Sequence, residues 1–458
     1  MVRFPSSFLF GTATSATQIE GGCATSDWFE FARQPGRVKG GDRPDVACDA
    51  WQRWEGDVAL QRSLGLGAHR MSIEWARVEP RPGEIHRASL DRYREMVGAL
   101  RDAGIEPMIT LHHFTLPAWL AERGGVLADG FAERLAEFAR VAVAALGDLC
   151  GRWVTINEPN VLAAQAYLLG EWPPGAKNAL AAVRAHHRLL EAHVAAYRAI
   201  KDARGDAAQV GVAHHLRVAQ PDRPDSLLDR AAARTFARVF NEAFATAICE
   251  GRMYGPLEAV GKVGALAGAR GFRVAEARGT QDFFGINYYS RDVVRFAADR
   301  PGELFCWRRV PAGAPVSDLG WEIYPAGLGL LVRSWARRSG VPVYVTENGI
   351  ADAADGKRAA FLVDHLTELG RALAEGVDVR GYFHWSLTDN FEWARGYQRR
   401  FGLYYVDFGT QRRLPKKSAA FYSEVARSNA LPHLRDGDLD GRPAVADGAA
   451  YAATAADG

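Results

Sequence analysis

Two glutamates stand in similar frames. Glu158 follows a short apolar run in "VTINEPN" (154–160), between an amide and a proline, and Glu347 follows another in "VYVTENG" (343–349). A lone acid in a loop is a solvated charge in most proteins. Two acids at the ends of apolar runs, far apart in sequence, suit a reaction that needs an acid and a nucleophile or base on opposite sides of one bond. Glycoside hydrolysis is such a reaction: one carboxylic acid protonates the departing oxygen, and the other attacks the anomeric carbon or activates water. The two must differ in proton affinity. Glu347 is expected to be ionised, held so by Arg70 and Tyr289, and Glu158 to start protonated.

The elements that would carry these acids are legible as alternation. Eight β-type runs, at 8–14, 68–73, 106–113, 152–157, 209–215, 282–289, 341–347 and 379–387, are separated by longer segments. Several of those segments carry helical spacing, at 89–104, 131–149 and 179–203. Many of the runs are continuously apolar, as parallel strands covered on both faces are. Strand and helix alternating eight times predicts a single (β/α)8 TIM barrel, an α/β fold. No GxGxxG follows the first strand and no phosphate-binding loop occurs, so a doubly wound nucleotide-binding fold has no support.

In such a barrel the site lies at the C-terminal ends of the strands. Read there, the runs deliver Gln18 and Arg70, then His112 and His113, then Asn157 and Glu158. The later runs deliver Asn287 and Tyr289, Glu347, and Trp385 with Glu392 and Trp393. His112 reads as a packing residue. His186, His187 and His193 fall on a helical segment without metal-ligand spacing.

These residues sit in motifs that resemble glycoside hydrolase family 1, the β-glucosidase type. "FPSSFLFGTATSATQIEGG" is similar to that family's N-terminal signature, "TINEP" to its acid/base motif and "TENG" to its nucleophile motif. "HRMSIEWARVEP", "LHHFTLPAWL", "GINYYS", "WSLTDNFEWARGYQRRFGLYYVD" and "RLPKKSAAFYSEV" match in order, from Phe4 to about Asn429. The resemblance implies that Glu158 is the acid/base and Glu347 the nucleophile, supported by Arg70, Asn287 and Tyr289. It implies that Gln18, His113, Asn157, Glu392 and Trp393 bind sugar hydroxyls over an aromatic floor, Trp385. It implies no cofactor and no metal. Phe114 and Val126 stand where tryptophan is common in the family; neither is one of the two acids.

The expected activity is retaining hydrolysis of terminal β-D-glucosyl, β-galactosyl or β-fucosyl units, with small β-glycosides or short oligosaccharides as partners. A 6-phospho-β-glycosidase is the near rival; Glu392 would repel a phosphate. A non-catalytic sugar-binding module on the same scaffold would be marked by loss of either acid, and both are present. Transglycosylation would use the same two residues.

The bulk of the chain agrees. It has 458 residues, 48% of them hydrophobic, and a net charge of +2, with neither a basic nucleic-acid surface nor an acidic tail. Its five scattered cysteines suit a reducing compartment. No apolar run is long enough to span a membrane, and the N-terminus has no signal-peptide pattern, so a cytoplasmic protein is expected. The folded domain is expected over 1–430. The Ala/Gly/Asp-rich segment 431–458 is expected to stay disordered, and 298–320 reads as a long surface loop.

Overall fold

The computed structural model describes residues 2–254, 273–300 and 303–432. Eight parallel strands close on themselves into a barrel. They are β1 (Leu9–Ala13), β2 (Ala68–Ser72), β3 (Glu106–His112), β4 (Arg152–Asn157), β5 (Gln209–His215), β6 (Phe283–Tyr288), β7 (Val343–Asn348) and β8 (Val379–Trp385). Each pairs with its neighbours in chain order, and β8 returns to β1 with Ala13 opposite Trp385. All eight expected runs are strands, with ends displaced by up to two residues.

The strands hold because both of their faces are covered. Every residue of β2, β6 and β7 is buried. Outside, Phe284 stacks on Trp335 of helix Pro325–Ser339 at 5.0 Å. Inside, Met108, Val154, Phe283, Tyr344 and Phe383 come from strands that are not all neighbours and form one buried cluster. They fill the lumen below the strand ends, so the barrel is a packed core rather than a pore. The expected helices are Arg87–Asp102, Phe131–Leu146 and Ala179–Arg204. The last starts where the Asn178 side chain accepts from the Ala181 amide, satisfying one orphan donor of the first turn.

The last described helix, Lys417–Ser428, and the residue after it tie the N-terminal segment to the barrel. Its Tyr422 hydroxyl donates to the Gly11 carbonyl of β1 at 2.8 Å, and the Phe4 amide donates to the Asn429 carbonyl at 3.0 Å. The segment expected to be disordered lies outside the described residues from 433 onward.

Two small sheets were not anticipated. Val218–Pro221, Arg291–Phe296 and Cys306–Arg309 form a three-stranded sheet beyond the ends of β5 and β6. Tyr404–Asp407 and Arg412–Pro415 form a hairpin. The stretch 298–320, expected to be loop, therefore contains a strand. Its four residues, Cys306–Arg309, include two arginines and present only one fully buried side chain, so no period-2 pattern marked it. Among the described residues no helix is long and apolar enough to cross a membrane.

Candidate functional site

The C-terminal strand ends open into a cavity of about 630 Å³. Gln18, His113, Asn157, Glu158, Tyr289, Glu347, Trp385, Glu392 and Trp393 all line it. Arg70 and Asn287 lie directly beneath, each bonded to residues of the wall.

Glu347, on β7, is gripped at both oxygens. Arg70 Nη1 donates to Oε1 at 2.6 Å and the Tyr289 hydroxyl donates to Oε2 at 2.6 Å. Arg70 itself, on β2, is fixed from three other strands, β3, β4 and β7. Its Nε reaches Thr110 on β3 at 3.1 Å and its Nη2 reaches Asn157 Oδ1 on β4 at 2.6 Å. Arg70 sits on β2 and Glu347 on β7, so this buried ion pair spans the lumen. Burial pushes the Glu347 carboxyl up to about 7; Arg70 opposes the rise and the charge of Glu158 adds to it. Because Glu158 contributes, putting a proton on Glu158 makes Glu347 easier to ionise.

The residue after Glu347 and Asn348 must be glycine for steric reasons. A Cβ on Gly349 would sit 1.8 Å from the Trp385 carbonyl oxygen. The bare backbone lets the end of β7 pass against the end of β8, which brings Glu347 and Trp385 to one cavity.

Glu158 is presented differently. It immediately follows β4, at φ 43°, ψ 60°, and Pro159 opens the next helical turn. Left-handed backbone costs a non-glycine residue about 1–2 kcal/mol. Phe114 (φ 73°) and Trp393 (φ 50°), also on the cavity wall, share that conformation. Strain of this kind collects at functional sites. Glu158 Oε1 accepts from Asn287 Nδ2 at 2.9 Å and pairs with His215 Nδ1 at 3.0 Å. Thr346, next to Glu347, donates to Asn287 Oδ1 at 2.7 Å, which fixes the amide orientation. One asparagine thus links the frames of both acids.

Asn157 Nδ2 pairs with His113 Nε2 at 3.1 Å. Burial, with Arg70 nearby, holds the His113 imidazole well below its ordinary range, so it is neutral. With Nε2 accepting, its proton sits on Nδ1, which has no partner. Asn157 keeps one amide hydrogen free. Trp385 stacks on His113 at 5.9 Å. Trp393 is wedged among Trp28 (4.8 Å), Phe114 (5.4 Å) and Trp172 (5.6 Å). Phe114 therefore packs the wall that holds Trp393.

Glu392 is partly buried, with its Oε2 atom shielded from solvent and unpartnered. Burial, followed by the charges of Glu347 and Glu158, pushes its carboxyl up to about 8. Gln18 is more occupied than the sequence suggested. Its amide donates to Asn390 Oδ1 and the Phe391 carbonyl, and its Oε1 accepts from Ser15. Its first structural task is to hold the loop that presents Glu392. His112 is buried against the edge of Phe131, at 6.2 Å, away from the cavity lining.

His215, Trp172 and Trp321 were missed. His215 had a usable signal: it is the last residue of β5, the one strand whose end received no assignment. Trp172 and Trp321 lie in connecting segments, where no periodicity points a side chain anywhere.

Fold and site together define a (β/α)8 barrel of the glycoside-hydrolase class. The model of glycosyl hydrolase family 1 matches residues 1–431, and the chain belongs to that family, making it a hydrolase of glycosyl bonds. It is 37% identical over 455 residues to β-glucosidase A of Thermotoga maritima, covering 94% of this chain and 99% of the relative. A β-galactosidase of Pyrococcus woesei is 32% identical over 515 residues, covering 93% and 98%. Among solved structures, the T. maritima β-glucosidase in complex with glucoimidazole matches with a TM-score of 0.86 at 35% identity, over 94% of this chain and all of that one.

Proposed function

We propose that the chain is a retaining β-glycosidase that hydrolyses terminal non-reducing β-D-glucosyl units, and galactosyl or fucosyl units beside them. Glu347 is the nucleophile and Glu158 the acid/base. The observation that carries this reading is the unequal setting of the two acids. Glu347 meets a guanidinium and a phenol, groups that favour its charged form, whereas Glu158 meets an amide and an imidazole. These contacts suit Glu347 to the nucleophile role and leave the acid/base role to Glu158.

In the first step the Glu347 carboxylate attacks the anomeric carbon as the bond to the leaving oxygen breaks. Glu158 gives that oxygen its proton. Consuming the Glu347 charge removes its pull on the Glu158 proton affinity, so the now ionised Glu158 takes a proton from water. The water oxygen then displaces Glu347 and releases the sugar with its configuration retained. Retention needs the two carboxyls about 5–5.5 Å apart, against about 6.5–9.5 Å for inversion.

The free Nδ2 hydrogen of Asn157, the His113 Nδ1 hydrogen and the unpartnered Glu392 oxygen supply donors and an acceptor for sugar hydroxyls. Trp385 offers a flat face to the ring C–H groups. Relatives with β-glucosidase and β-galactosidase names support a glycone range wider than glucose. At the glycone end, Glu392 beside Glu158 and Glu347 favours a neutral sugar over a 6-phosphorylated one.

Glu347→Gly removes the nucleophile and leaves space for a small anion. With an activated aryl β-glucoside and azide, the variant should form the α-glucosyl azide, by one inversion. Undiminished hydrolysis in that variant, or the β-azide as product, would sink the assignment. Nitrophenyl β-glucoside, β-galactoside, β-fucoside and 6-phospho-β-glucoside, compared on the unaltered chain, set the glycone order.

A further inference from the structure

Both side-chain contacts that Glu158 makes fall on one of its oxygens. Oε1 meets Asn287 Nδ2 at 2.9 Å and His215 Nδ1 at 3.0 Å. Oε2 bonds no side chain among the described residues, and Glu158 lines the cavity. The two oxygens are therefore unequal, and the inequality depends on which neighbour of Oε1 gives a proton. Asn287 donates there, because an amide nitrogen only donates. Its other hydrogen goes to Asn157 Oδ1 at 3.0 Å.

An imidazole nitrogen can donate or accept. If His215 Nδ1 accepted, the acid proton would sit on Oε1, aimed at the ring and away from the bond to be broken. If Nδ1 donates, both lone pairs of Oε1 are filled, and the acid proton sits on Oε2. The ring is held so that this choice persists. His215 ends β5, stacks on Tyr289 at 6.1 Å and 22°, and meets Phe240 edge-on at 6.0 Å and 82°. Tyr289 is the phenol that donates to Glu347. The stacked rings thus set one group against each acid.

We propose that His215 is a positioning residue for the acid/base: with its proton on Nδ1 it occupies Oε1 of Glu158 and confines the transferable proton to Oε2. The inference rests on the glycosidase reading above. The same donation stabilises the carboxylate that remains when the proton has gone to the leaving oxygen. In the second step it keeps Oε2 as the atom that takes a proton from water.

The test removes the donor and then restores one. His215→Phe keeps a flat ring between Tyr289 and Phe240 but has no proton to give. His215→Asn places an amide nitrogen close to where Nδ1 stood. Two substrates are compared: a dinitrophenyl glucoside, whose leaving group needs no proton, and methyl glucoside, whose leaving group does. In His215→Phe, kcat/KM on the dinitrophenyl substrate should stay close to that of the unaltered protein. On methyl glucoside it should fall by about tenfold or more, the usual worth of a hydrogen bond to a charged group. On the dinitrophenyl substrate kcat and KM should fall together, because water then meets a glycosyl enzyme whose base is misplaced. Added azide, which needs no base, should restore that kcat. In His215→Asn the ratio between the two substrates should return most of the way to its original value. Equal losses on both substrates in His215→Phe, or no loss on either, overturn the proposal. So does a ratio in His215→Asn no better than in His215→Phe. Failure of the unaltered protein to hydrolyse the dinitrophenyl glucoside would instead overturn the glycosidase reading itself.

Discussion

At the scale of single residues, the two acids differ in what their loss should do. Glu158→Ala removes the proposed proton donor but leaves Glu347 and its Arg70 and Tyr289 contacts intact. On a dinitrophenyl glucoside, whose leaving group needs no proton, formation of the glycosyl enzyme should be nearly normal. On an alkyl glucoside kcat/KM should fall by about 10²–10⁴, the usual worth of general acid catalysis. Equal losses on both substrates would contradict the acid role. The proposed pair was readable in the sequence because each acid follows an apolar run and two such frames suffice to pose the chemistry. The partner of Glu158 was readable only as far as the strand end that carries it. His215 ends β5 beside His214, and nothing in "AHH" tells which ring turns inward; in the fold His214 stacks on Phe284 at 4.4 Å and His215 faces the acid. Gln18 was readable as a site residue, but its engagement with Asn390 and Phe391 is a contact across 372 and 373 residues that no local pattern records.

At the scale of elements, the barrel strands announced themselves because burial on both faces forces continuous apolar runs. The small sheet at Cys306–Arg309 did not, because an edge strand that is mostly exposed carries no such constraint. The junction of β7 and β8 depends on one missing side chain. Gly349→Ala would drive a methyl into the Trp385 carbonyl, with backbone on both sides and no flexible chain end to give way. We expect a loss of more than about 3 kcal/mol in denaturant unfolding, the range of severe core strain. Any folded fraction should lose kcat/KM by about 10² or more, since Glu347 and Trp385 would no longer meet in register. A variant with unaltered stability and activity would show that the strand ends can part without consequence.

At the scale of the whole molecule, buried acids set a pH dependence separate from catalysis. Burial raises Asp27 to about 8, Glu20 to about 7 and Glu392 to about 8. A carboxyl with a folded pKa above its unfolded value binds its proton more tightly in the folded chain. Its contribution is present below about pH 4 and is lost as pH rises through 7–8. Thermal midpoints should therefore be higher near pH 5.5 than near pH 9, by a few degrees or more. Asp27 accepts from the Trp28 and Leu116 amides through one oxygen and pairs with no cation among the described residues, so Asp27→Asn keeps the acceptor and removes the charge. That variant should flatten the dependence. A thermal midpoint that rises steadily to pH 9 would show that other groups dominate. The pair between Arg70 and Glu347 carries one more consequence. It joins residues 277 positions apart and crosses the lumen, so it cannot exist in any half of the chain. Residues 1–204 hold Arg70 and Glu158 without Glu347, and the remainder holds Glu347 alone. Recovery of activity during refolding is thus a clock for the final ring closure, lagging every probe that reports helices or single strand pairs.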